Sequence, residues 1–296
     1  MAAKKDIHIW KKSLQVSIEN QDPKGIADNS SLLGEAYLTA GKYKKAIKHF
    51  ESSLDIFAQI GQLHGVAVNN GNLGNAYLKI GQYQKAANYY CKALEINTKL
   101  GERSRIADDN NNLGIAYFKL GKYAHAIKCY KTSLKINTSE SDRSGIASNN
   151  GNLGNAYLSL GEYRRAIECY EKGLQISTEI GDRSGIASNN GNLGNAYHSL
   201  GKYQKAIQYY QKSVQIGTEI GDRLVIASNN GKLGNAYNSL GDYQKAIEYY
   251  GKGLHISTEI GDRSGIARNN GNLGNAYHSL GEYQKAIEYY KKGLQI

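Results

Sequence analysis

Among its 296 residues the chain has one proline, one tryptophan, three phenylalanines and three cysteines. Three cysteines are too few for a disulfide framework and none has metal-site spacing, so they read as reduced thiols. Apart from tyrosine, only Trp10, Phe50, Phe57 and Phe118 are aromatic, which leaves no aromatic reserve for a separate globular core. No stretch is long and apolar enough to span a bilayer, and the N-terminus lacks the apolar core of a secretory signal. These absences point to a cytoplasmic protein without membrane insertion.

Motifs of catalysis are missing too. There is no G-x-x-x-x-G-K-[ST], no G-x-S-x-G and no H-E-x-x-H. His198 and His278 share a register but stand two repeats apart, too far to hold one metal ion, and the helical pair His125 and Cys129 occurs once. With no nucleophile, acid–base pair or metal set converging, the expectation is a protein that is not an enzyme and carries no cofactor. The formal charge of +11 raises the question of a nucleic-acid partner. The basic residues do not gather into one block, however. Lys45, Lys85, Lys205, Lys245 and Lys285 recur at the start of successive helices instead, which reads as a solvated outer face and disfavours nucleic acid.

What the chain has in quantity is one stretch, copied. Ala187 to Tyr210 reads ASNNGNLGNAYHSLGKYQKAIQYY, and close versions of it recur every 40 residues. All 24 tyrosines fall at repeat positions, in the registers of Tyr197, Tyr203 and the pair Tyr209 and Tyr210. Ile186, Leu193, Tyr197 and Leu200 form one helical face, and Tyr203, Ala206, Ile207, Tyr210 and Val214 form another. Gly201 between them suits the left-handed residue that ends a helix, and Asp182 suits the N-cap of the first. Each unit is therefore a helical hairpin, helix A over about 182–200 and helix B over about 203–220.

The pattern L-G-x-A-Y, then G-x-Y-x-x-A and an aromatic four residues on, is carried by Leu193, Gly194, Ala196, Tyr197, Gly201, Tyr203, Ala206 and Tyr210. It resembles the tetratricopeptide repeat. That resemblance implies an all-α, right-handed α-solenoid of helix-turn-helix repeats, with Gly194 and Ala206 small where helices meet. Seven repeats are expected to start near 21, 61, 101, 141, 181, 221 and 261, the last stopping inside helix B at Ile296. Residues 1–20 align with a helix B, as half a repeat. Pro23 follows Asp22 at the first helical position, where a missing amide costs nothing. Ends without capping helices suggest a fragment of a longer array, or ends covered by partners or by self-association.

In such a fold the helices A line the concave groove. The face opposite the apolar stripe carries Ser188, Asn192, Asn195 and Ser199. One register holds Asn75, Asn155, Asn195, Asn235 and Asn275, broken by Glu35 and Ile115. A second holds Asn72, Asn112, Asn152, Asn192 and Asn272, broken by Leu32 and Lys232. Asparagine is a poor helix former, so its repeated use needs a reason. Either these carboxamides clamp a peptide backbone, each offering two donors and two acceptor lone pairs, or they form a ladder between repeats. Asn190, on the inter-helix side, is expected to belong to a structural ladder.

A third register reads Leu38, Leu78, Phe118, Leu158, His198, Asn238 and His278. With Lys232 and Arg268 it predicts apolar anchors for the ligand at Phe118 and Leu158, and acidic ligand groups near His198, His278, Lys232 and Arg268. The 40-residue period, L-G-N-A-Y and the junction I-G-D-R (Ile180 to Arg183) further resemble the Pins-type G-protein-signalling modulators of animals and related long repeat proteins. That likeness implies a scaffold in polarity, spindle-orientation or G-protein signalling, with the Asn195 register lining its peptide groove. The expected function is a non-enzymatic protein-interaction scaffold binding an extended or partly helical segment. The alternative is a self-associating array acting through its uncapped ends.

Overall fold

The computed structural model describes the backbone of residues 2–296 and the side chains of residues 6–296. Every element among them is an α-helix. One set of helices comprises α2 (Pro23–Thr39), α4 (Leu63–Lys79), α6 (Arg103–Lys119), α8 (Arg143–Ser159), α10 (Arg183–Ser199), α12 (Arg223–Ser239) and α14 (Arg263–Ser279). Alternating with them are α1 (Ala2–Glu19), α3 (Tyr43–Gln59), α5 (Tyr83–Leu100), α7 (Tyr123–Ser139), α9 (Tyr163–Glu179), α11 (Tyr203–Glu219), α13 (Tyr243–Glu259) and α15 (Tyr283–Leu294). The first set are helices A and the second helices B. None of the described helices is long and apolar enough to cross a membrane.

The chain forms two compact units, Met1–Asp142 with α1 to α7 and Arg143–Ile296 with α8 to α15. Inside each, consecutive helices pack as hairpins and each helix A also touches the next helix A, which is the layering of an α-solenoid. Turn chemistry sets the hairpins. Gly201 sits at φ 72°, as do its counterparts at nearly the same angle, a region that costs a side-chain-bearing residue about 1–2 kcal/mol. Gln21 and Ser141 occupy the same left-handed position without that licence, at φ 53° and 58°. Asp182 and Asp222 cap their helices by accepting from the amides of Gly185 and Val225, at 2.9 and 3.0 Å. Asp22 stands at the N-cap of α2 without a side-chain bond, and Pro23 follows it in the first turn.

The hairpins lock through one contact. In six repeats a buried aromatic of helix B, Phe50, Tyr90, Tyr130, Tyr170, Tyr210 or Tyr250, packs against a helix A glycine, and half-buried Tyr290 does so in the last. A Cβ on Gly74 would stand 2.5 Å from the Tyr90 ring, so only glycine lets helix and ring approach. Alanines at the facing positions, Ala86, Ala166, Ala206 and Ala246, are wholly buried. In four hairpins tyrosines of helices A and B also stack, as Tyr77 on Tyr89 and Tyr197 on Tyr209 with centroids 5.3 Å apart. The recurring lysines are not merely solvated: Lys85 and Lys205 lie 5.3 Å above Tyr77 and Tyr197, a contact contributing about 0.5–1 kcal/mol where exposed. At the junctions Arg143, Arg183 and Arg223 pair with Glu179, Glu219 and Glu259, tying the start of helix A to the end of helix B.

The Asn190 register corrects the ladder expectation. Asn70, Asn110, Asn150, Asn190, Asn230 and Asn270 donate at 2.8 to 3.0 Å to the carbonyl four residues earlier in their own helix. Asn69, Asn189 and Asn229 do the same one position earlier. The Asn190 register thus bonds within its own helix, as buried carboxamides do at a helical turn, whereas one position earlier Asn229 also donates to Ser213 of the preceding repeat at 3.0 Å.

Two glycines three residues apart separate packing from propensity. Gly74→Ala pushes against the Tyr90 ring and should destabilise by about 1–3 kcal/mol. A Cβ on Gly71 meets nothing within 4 Å, so Gly71→Ala should stabilise by about 0.5–1 kcal/mol. Unfolding midpoints in urea check both, and equal effects would refute the packing account.

Candidate peptide groove and basic pocket

The helix A face opposite the core is where the carboxamides stand. Each carboxamide of the Asn195 register is held from inside by the buried tyrosine of its own repeat. Tyr90, Tyr170, Tyr210, Tyr250 and Tyr290 donate to the Oδ1 of Asn75, Asn155, Asn195, Asn235 and Asn275 at 2.7 to 3.0 Å. Burial raises the phenols of Tyr90, Tyr170, Tyr210 and Tyr250 well above their usual range, so these four keep their protons and donate. With Oδ1 turned inward, the Nδ2 amide faces outward with two N–H donors. The exceptions fit the same rule: Glu35 has Phe50 behind it, which carries no hydroxyl, and Ile115 offers Tyr130 no acceptor.

The Asn192 register divides. Asn72 donates across to Glu35 at 3.1 Å and Asn272 to Asn235 at 3.2 Å, so at these two places the carboxamides do link neighbouring repeats. Asn192 instead opens onto the groove. In Arg143–Ile296 three concavities share walls. One is lined by Asn152, Asn155, Ser188 and Asn192, among others. The next includes Asn155, Asn192, Leu224, Ser228 and Lys232. The third, of about 320 Å³, is lined by Asn195, His198, Ser199, Tyr210, Ser228, Gly231, Lys232, Asn235 and Arg268. They form one continuous groove along α8, α10, α12 and α14.

The third concavity gathers the charge. Lys232 and Arg268 both line it, and among the described residues neither forms an ion pair. Burial, then the Arg268 charge, pushes the Lys232 ammonium down to about 8, and its Nζ lies 5.9 Å from the Tyr210 ring centroid. Burial also lowers the His198 imidazole, which lies 3.4 Å from the Ser239 hydroxyl and packs tilted against Tyr203 with centroids 5.1 Å apart. Near neutral pH the pocket thus presents two cations, a neutral imidazole and the outward amide of Asn195, with no carboxylate in its lining.

Other expected positions are not brought together. Phe118, tilted against Tyr123 with centroids 5.4 Å apart, belongs to Met1–Asp142, and Leu158 to Arg143–Ile296; neither lines a concavity described above. His278 is exposed and packs edge-on against Tyr283. Asn112 is half-buried on α6. Asn72 and Asn75 line a smaller hollow of Met1–Asp142, about 220 Å³, with Asn97, Arg105, Asp108 and Asp109. Reading the sequence alone missed two things. The tyrosine hydroxyls that orient the carboxamides were signalled by Glu35 pairing with Phe50. Asp109 stands where Asn69, Asn149, Asn189, Asn229 and Asn269 stand in other repeats. Among the described residues no three His, Cys, Asp or Glu side chains cluster as a metal site. Burial pushes the Cys129 thiol up to about 11, which leaves it protonated and unreactive.

Comparison with known proteins bears on the repeats. A family model described as tetratricopeptide repeat matches residues 10–99, 105–179, 145–219, 185–259 and 224–296. No curated protein sequence matches significantly. Among solved structures, RapI in its apo form has 16% identity over 91% of this chain and 96% of its own, with a TM-score of 0.75. Aspartyl phosphate phosphatase F from Bacillus subtilis has 17% identity over 95% and 73%, with a TM-score of 0.73. BtubC (BKLC) from P. vanneervenii has 22% identity over 75% and 93%, with a TM-score of 0.66. At these identities the likeness is one of fold. None of the three is a Pins-type scaffold, so they speak for the repeat and not for that subtype.

Asp109 gives the hollow a pH signature. Burial, partly offset by the 2.7 Å bond from Asn97, raises its carboxyl to about 6, against about 3.9 in an unfolded chain. The folded state therefore holds a proton that the unfolded state has lost between about pH 4 and 6. Stability falls as pH rises through that window and is level above it. Asp109→Asn, which restores the residue of the other repeats, should raise stability at pH 7 by about 1–2 kcal/mol. The gain should vanish near pH 4. Unfolding curves at both pH values check this, and a pH-independent gain would refute it.

Proposed function

Given that the chain belongs to the tetratricopeptide-repeat family, we propose that it is a non-enzymatic protein-interaction scaffold. Its ligand is an extended or partly helical peptide segment, held along the helix A face of Arg143–Ile296. The observation that carries this reading is the row of outward carboxamide donors at Asn155, Asn195 and Asn235, each fixed by a buried tyrosine hydroxyl. A fixed donor loses little freedom on binding, so its hydrogen bond is not spent on ordering the side chain. Backbone carbonyls are the acceptors every peptide has, which suits donors repeated at constant spacing. The groove they face is continuous over three concavities. Sequence preference then falls to the departures, Leu224 on one wall and Lys232 with Arg268 on another, and favours a segment with an acidic group. A narrower reading, a partner in polarity or G-protein signalling, rests on the L-G-N-A-Y and I-G-D-R motifs alone.

The test separates clamp from latch. Peptides selected on the full chain from a displayed library are measured against a triple variant, Asn155→Asp, Asn195→Asp and Asn235→Asp. A carboxylate still accepts from the tyrosine hydroxyl but offers the peptide no N–H. The thermal midpoint should hold while peptide affinity falls about ten-fold or more, as expected for three bonds of about 0.5–1.5 kcal/mol each. Unchanged affinity would make the asparagines internal latches and end the proposal. Tyr170→Phe with Tyr210→Phe, a residue the register already accommodates at Phe50, should weaken binding by a few-fold by releasing the carboxamides.

A further inference from the structure

The four repeats of Arg143–Ile296 are close copies, so their differences are informative. Lys232 stands where Asn152, Asn192 and Asn272 stand, and Arg268 where Ser148, Ser188 and Ser228 stand. These two changes lie on different helices, α12 and α14, yet both side chains line one pocket. Placing two cations together without a counter-ion is unfavourable in the empty protein. Neither has an ion-pair partner among the described residues, and the remaining lining is neutral and hydrogen-bonding: His198, Asn195, Ser199, Ser228 and Asn235. A carboxylate would neutralise only one of the cations. A phosphoryl group carries close to two charges at pH 7 and three strong acceptor oxygens, and matches a guanidinium, an ammonium and surrounding neutral donors.

We propose that the pocket between His198, Lys232 and Arg268 is a phosphoryl-binding subsite, filled by a phosphorylated side chain of the segment lying in the groove. The peptide source rests on the groove reading above. The pocket shares Ser228 and Lys232 with the adjoining concavity, which continues to Ser188, Asn192 and Asn155. A phosphorylated side chain anchored here would leave its backbone over the carboxamide row. The 320 Å³ volume leaves space for the carrier side chain as well as the phosphoryl group.

Lys232→Asn and Arg268→Ser restore residues that sister repeats carry at the same positions, so both variants should fold, which circular dichroism confirms. Titration calorimetry on the full chain uses five probes: Ac-Ala-Ala-pSer-Ala-Ala-NH2, its unphosphorylated twin, its glutamate twin, inorganic phosphate and a ten-nucleotide thymidine strand. The phosphopeptide should bind at least ten-fold more tightly than any other probe, and each variant should weaken it at least ten-fold. Equal binding of the glutamate twin, tighter binding of the thymidine strand, or unaffected variants would overturn the proposal. Phosphate binding that depends on Lys232 without any gain from the peptide would overturn the peptide source and the groove reading with it. Library-selected peptides that bind through Asn155 but ignore phosphorylation and Lys232 would overturn the phosphoryl subsite and leave the groove standing.

Discussion

The contact on which the molecule depends is a tyrosine ring lying on a glycine. Tyr210 fills the space above Gly194 because no Cβ intervenes, and that approach sets how close helix B comes to helix A. A ring pressed against the helix backbone has one direction left for its hydroxyl, through the hairpin to the far face of helix A. There it meets Asn195. Core packing and the carboxamide face are thus joined in a single side chain, buried at its ring and hydrogen-bonded at its tip. The glycine makes the approach, the approach aims the phenol, and the phenol orients the carboxamide.

Polar groups inside the hairpins follow a contrasting logic. The paired asparagines at 189 and 190 and most of their counterparts are buried, and their amide nitrogens donate within one helical turn to carbonyls already spoken for once by the backbone ladder. Carbonyl oxygens have two lone pairs, so this second bond costs the helix little. Where these registers do bond across repeats, as Asn229 to Ser213 at 3.0 Å and Asn97 to Asp109 at 2.7 Å, the bond lies on the core side of helix A. A repeat can then vary at its groove face without disturbing its core.

That freedom is what Lys232 and Arg268 use, whereas Asp109 stands in the buried register itself. Each replaces a neutral residue found in sister repeats, and burial lowers the Lys232 ammonium and raises the Asp109 carboxyl. Charges left uncompensated in otherwise repetitive surroundings mark where a ligand has something to supply. The two hollows differ in sign, Asp108 and Asp109 with Arg105 in one and Lys232 with Arg268 in the other. The scaffold is uniform and the chemistry lies in its exceptions.

The sequence by itself determined the helices, their turns and their core. Periodicity of 3.6, a glycine able to hold φ near 72° at Gly201 and a capping Asp182 are local facts, repeated until they allow one reading. It also identified the carboxamide registers, because helix geometry alone places Asn192 and Asn195 on one face. Only the tertiary structure decided what those carboxamides do. The partner of Asn195 is fifteen residues away on another helix, and no helical period connects them. Likewise Lys232 and Arg268 share a pocket only because α12 packs beside α14, whereas Phe118 and Leu158, neighbours in register, fall in separate compact units. Local periodicity fixes which face a residue occupies, and the packing of one helix on the next fixes what it meets there.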